Sequence, residues 1–110
     1  MVLLSNTAEI NMPMIPIVFV THSKIKHVFH QIIEEFNHEE QLAIYFYCLL
    51  ELPANEIAKV IELSEKHVVS TLTIFSERLT SIINIFKKAF SFSTCDYLPI
   101  SEAIFMEFEV

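Results

Sequence analysis

Residues 52–79 read LPANEIAKVIELSEKHVVSTLTIFSERL, and this stretch decides the fold. Pro53 suits the opening of a helix, because its missing N–H has no partner there anyway. Ile57, Ala58 and Ile61 then share one face, which predicts a short helix over 54–61. Glu62-Leu63-Ser64 breaks the period, and Ser64 is a natural N-cap for a second helix from Glu65. Along that helix Val68, Leu72, Phe75, Leu79, Ile82, Phe86 and Ala89 recur at spacings 4-3-4-3-4-3. That is a heptad-like seam, the pattern that suits a helix meeting a helix. Short helix, three-residue turn and long helix is the layout of a helix-turn-helix; the plainer alternative is another small helical bundle.

Working outward, Ile25, Val28, Phe29, Ile32, Ile33 and Phe36 mark one face of an earlier helix, with Thr21 or Ser23 as its cap and Asn37 as its break. A further helix is expected from His38 to Leu50, with Glu39 and Glu40 at its positive end. From Leu42 onward it is apolar on nearly every side, which marks it as the central buried helix. Ile15–Val20 is β-prone, and Pro16 confines any strand there to an edge. Ile104, Met106, Phe108 and Val110 alternate with their neighbours and predict a second strand. The expected fold is all-α: a helix-turn-helix bundle of about four helices with short β-prone N- and C-terminal segments. Its parts are residues 1–22, the helical domain 23–90 and the tail 91–110.

Composition narrows the chemistry. Of 110 residues 53% are hydrophobic, ten being Phe, so the chain can build a core and still have apolar surface left for a partner. The net charge is −7, which repels nucleic-acid phosphate unless the basic groups cluster. Glycine is absent, which excludes phosphate-cradling loops, dinucleotide fingerprints and nucleophile elbows. Cys48 and Cys95 form neither a zinc nor a redox pattern, so a reducing cytoplasm is expected. The first 23 residues hold no Lys or Arg, so no signal leader is expected. The longest unbroken apolar run, Leu42–Leu50, is far short of the about 20 residues that a membrane span needs.

Phe36 to Leu79 resembles region 4 of bacterial sigma factors, especially the extracytoplasmic-function type. The matching residues are Leu52-Pro53-Ala54-Asn55-Glu56-Ile57-Ala58, Val60-Ile61, Leu63-Ser64, Val68, Ser70, Leu72 and Leu79. The same pattern, with Ser64-Glu65-Lys66, is shared with the DNA-binding output domains of response regulators. The resemblance implies that the helix from Glu65 to Leu79 faces the major groove of a promoter. Its contact candidates are Ser64, Lys66, His67, Ser70, Thr71 and Arg78. It also implies a contact with RNA polymerase or a sigma-associated protein. The residues before Phe36 are too few for the rest of a sigma factor, so a stand-alone unit is expected.

The departures from that family weaken its DNA face. Where the family is basic, this chain has Val69, Thr71, Thr73, Ile74, Ser76 and Glu77. Between Ser64 and Leu79, Lys66 and Arg78 are balanced by Glu65 and Glu77. About three phosphate contacts remain, which predicts a salt slope near about −3. Glu62 stands where the family's turn commonly has Gly, at a cost of about 1 kcal/mol if its backbone is left-handed.

The remaining clusters are weaker signals. His27, His30 and Glu34 share a helix face, but metal sites usually draw on more than one element, so a solvated face is expected and no metal. Glu34, Glu35, Glu39 and Glu40 form an acidic patch with no nucleophile or pocket beside it, and no catalytic residue or cofactor is expected. Lys87 and Lys88 suit the end of a helix. The two functional expectations are a transcription-associated protein with a weakened DNA face, and an interaction module that has lost DNA binding. A homodimer through Leu79, Ile82, Phe86 and Ala89 fits either. Its competitor is fold-back of that seam onto Ile25, Phe29 and Ile33 in the same chain.

Overall fold

A computed structural model of the chain describes residues 10–21, 23–90 and 96–107. The described elements run β1 (Ile15–Pro16), α1 (Ile17–Thr21), α2 (Ser23–Glu34), α3 (His38–Leu50), α4 (Ala54–Ile61), α5 (Glu65–Phe90), β2 (Tyr97–Leu98) and α6 (Ile100–Glu107). Among the described residues the fold is all-α apart from one short antiparallel ribbon, in which Ile15 pairs with Leu98 and Pro16 with Tyr97.

The central helices start and stop where local chemistry dictates. Asn37 begins α3 rather than merely ending α2. Its side chain accepts the Glu40 N–H at 2.9 Å, while the Glu40 carboxylate accepts the Asn37 N–H at 3.1 Å. This capping box satisfies two donors that a helix start otherwise leaves unpaired. Glu51 and Glu62 end α3 and α4 in the left-handed region, at φ 58° and 59°. Ser64 caps α5 by accepting the His67 N–H at 3.0 Å.

The core follows the apolar spacing. Ile57 of α4 and Val68, Leu72, Phe75 and Leu79 of α5 are fully buried. They meet Ile32 and Ile33 of α2 and Ala43, Ile44 and Cys48 of α3. α3 is central, in contact with α4, α5 and α6. Phe36, between α2 and α3, sets its ring against Phe75 with centroids 6.2 Å apart.

Both ends of the chain depart from expectation. Only Ile15–Pro16 of the apolar segment is strand, and Ile17–Thr21 is helical. Burial of Phe19 and Val20 outweighs the β propensity of this stretch. Thr21 does not cap α2. It lies in α1, and its hydroxyl donates to the Ile17 carbonyl at 3.2 Å. The tail does hold a strand, but at Tyr97–Leu98; the alternating segment from Ile104 is helical as far as Glu107, where the description ends. The Pro99 carbonyl accepts the N–H groups of Glu102 and Ala103, which starts α6. Ala103 and Ile104 are buried, and with Ile100 they follow the helical spacing i, i+3, i+4. Phe108 and Val110 of the expected strand lie outside the described residues.

Candidate nucleic-acid interface

α4, the break at Glu62–Ser64 and α5 place the helix expected to face DNA at the surface. Its outward stripe is Lys66, Ser70, Thr73, Glu77, Thr80 and Asn84, all exposed at spacings 4-3-4-3-4. One cation and one anion sit on a row of hydroxyls and an amide, so the stripe has no net charge. Of this row Lys66 and Ser70 are among the expected contacts, and Thr73 and Glu77 stand where the resembled family is basic.

The other predicted contacts lie elsewhere. Thr71 is 2% exposed and belongs to the interior, which removes it from any DNA face. Ser64 is exposed but spends its hydroxyl on the cap. His67 and Arg78 are eleven residues apart, about three helical turns, so they share one flank of α5. That flank abuts the junction of α2 and α3. Arg78 Nη2 donates to Glu35 Oε2 at 2.7 Å. His67 Nε2 and Glu40 Oε2 lie 2.9 Å apart. The acidic patch therefore has a partner in α5: two of its carboxylates hold the Arg78 guanidinium and the His67 imidazole. Glu40 is held below the usual carboxylate range, first by the His67 hydrogen bond and then by the Asn37 N–H, against an opposing effect of burial.

Beside the stripe runs a groove of about 450 Å³ lined by Ile10, Asn11, Thr73, Ser76, Glu77, Thr80 and Ser81. The Ser76 hydroxyl donates to the Asn11 carbonyl at 2.5 Å, so the segment before β1 lies along this side of α5. On the opposite flank, Ile74, Glu77, Arg78, Ser81 and Ile82 line a second groove of about 410 Å³. Ile74 is 46% exposed there, and Ile85, farther along α5, is 63% exposed.

The dimer candidates are divided by their surroundings. Leu79 is fully buried in the chain's own core, so it offers nothing to a second copy. Ile82 and Phe86 pack against that core from its edge, and Ala89 is exposed. The buried row passes through Ile83 rather than Ile82. A straight helix drifts about 20° per heptad, and the step from Leu79 to Ile83 absorbs that drift. The seam thus serves, as far as Leu79, to pack α5 on the chain's own core. Of the expected fold-back partners Ile33 is buried in the core, whereas the side chains of Ile25 and Phe29 lie outside those described. Lys87 stands over the Tyr97 ring at 5.0 Å, pinning the end of α5 to β2.

Other chemistry is sparse. Burial pushes the Cys48 thiol up to about 12, which makes it a small hydrophobe rather than a nucleophile. Cys95 lies outside the described residues. The face of His27, His30 and Glu34 gathers no metal-binding cluster among the described residues; His27 shares a hydrogen bond with Gln31. No described helix is long and apolar enough to cross a membrane. Comparison with family models, with curated proteins and with solved structures returns no match.

Proposed function

We propose that the chain is a small cytoplasmic, transcription-associated helix-turn-helix protein that acts mainly through protein contacts and keeps only a weak DNA face. The reading joins the resemblance to sigma region 4 with one observation. The outward stripe of α5 is neutral, and the flanking Arg78 and His67 are engaged by Glu35 and Glu40. DNA-binding affinity comes largely from free Lys and Arg at phosphates, and this face supplies few. The partner is RNA polymerase or a sigma-associated protein. The exposed Ile74, lining the groove at Arg78, and Ile85, farther along α5, give such a contact an apolar centre.

A second copy of the chain is the other occupant we propose for this side of α5. Such a homodimer would use Ile82, Ile85 and Ala89, since Leu79 is committed to the interior. The experiment is a pair of titrations. Labelled protein is mixed with RNA polymerase core enzyme, and separately with promoter-type duplex DNA across a salt series. Saturable binding to the enzyme with weak, salt-labile binding to DNA is expected. Tight sequence-specific DNA binding at physiological salt by the protein alone defeats the proposal.

A further inference from the structure

The two ion pairs of α5 share a design. Glu35 and Glu40 are five residues apart, on either side of the α2–α3 junction, and they reach His67 and Arg78 on one flank of α5. All four side chains are accessible: 42% for His67, 23% for Glu40, 46% for Arg78 and 47% for Glu35. Exposed pairs of this kind are weakly held and exchange readily with other ions. None of the four groups belongs to the buried core. Arg78 and His67 can therefore change partners without unfolding the protein. Lys66 is exposed in the same first turn of α5 as His67. With the carboxylates displaced, α5 would present Lys66, Arg78 and, when protonated, His67 along about three turns.

We propose that Lys66, His67 and Arg78 form a phosphate-binding patch that Glu35 and Glu40 keep occupied, so the fitting partner is duplex DNA in competition with the protein's own carboxylates. The inference rests on the reading of α5 as the DNA-side helix, and it explains why that face is weak. In the resting protein Lys66 alone of these three meets phosphate freely, so the patch gives a salt slope of about −1. Release of both pairs raises it toward about −3.

The test uses the full chain and a fluorescent duplex, with anisotropy read across a low-salt series at about pH 6, where an imidazole carries substantial charge. Glu35→Gln/Glu40→Gln removes the competing charges, and Gln at position 40 preserves the capping box. The expected result is a steeper salt slope and binding tighter on the order of tenfold at low salt. Arg78→Ala in that background should take back much of the gain. Asp96→Asn/Glu102→Gln removes the same formal charge just before β2 and in α6 and controls for the field of the whole molecule. Equal tightening by this control, or no tightening by the Glu35/Glu40 variant, overturns the inference. Glu35→Gln alone leaves the Asn37–Glu40 capping box intact, so a half-sized gain is required of it even if the double variant folds poorly. Tight DNA binding by the unmodified chain would instead sink the proposed function while leaving the competition measurable.

Discussion

The Phe86 ring stands edge-on to Phe19, with centroids 5.6 Å apart and 89° between the planes. The far end of the long helix is thereby closed by α1 of the same chain. Ile82→Glu combined with Phe86→Glu places two charges against this contact. Burying charge without a partner is strongly unfavourable, so the variant should lose most of its cooperative melting transition. A folded monomer with unchanged stability would show instead that the seam belonged to a dimer. Sedimentation of the unmodified protein completes the test: a concentration-dependent dimer must then survive through Ile85 and Ala89.

Ile57 and Leu72 tie α4 to α5 and are both fully buried. Replacing either with Ala should cost about 2–5 kcal/mol, the range for a large aliphatic removed from a packed core. Denaturant unfolding measures it. A loss below about 1 kcal/mol at both positions contradicts the α4–α5 packing described above.

The helices carrying these residues were legible because their apolar periods are long and their caps are local. His38–Leu50, 54–61 and the start at Glu65 all follow from residues next to the boundary. The ends of the chain were not legible in this way. In α6 the helical set Ile100, Ala103, Ile104 is short, and it overlaps an equally good alternation through Ile104 and Met106. Packing against α3 and α1 decides between the two, and no local pattern encodes that. The site was half legible. Charge counting found the weak cationic face, but the pairing of residues 40 with 67 and 35 with 78 is a long-range contact that spacing does not report.

Glu51 and Glu62 hold left-handed backbone in a chain without a single glycine. A residue with a Cβ pays about 1–2 kcal/mol there relative to the right-handed form. Glu51→Gly and Glu62→Gly should therefore each stabilise the fold, by about 1 kcal/mol after the extra entropy of an unfolded glycine is subtracted. Both side chains are exposed, so little packing is lost. Thermal melting reads the gain, and a fall in stability for both variants would contradict the two turn geometries.

Glu40 joins the cap of α3 to the first turn of α5, and acid should uncouple them. Its carboxyl titrates below the ordinary 4.5, chiefly because the ionised form is hydrogen-bonded to His67 and then to the Asn37 N–H. A folded-state value below the unfolded one means that the folded protein binds the proton less well than the unfolded chain does. The stabilisation is then fully present above about pH 4.5 and is lost as pH falls through the lowered folded value. Glu40→Gln removes the charge but keeps an oxygen for the Asn37 N–H. The gap in unfolding free energy between the two proteins should be largest near neutral pH and should close on acidification below about pH 4.5. Denaturation curves at a series of pH values measure the gap directly. If it is unchanged by acid, or widens, the ionised carboxylate contributes nothing to the link between α3 and α5, and the pairing with His67 carries no weight.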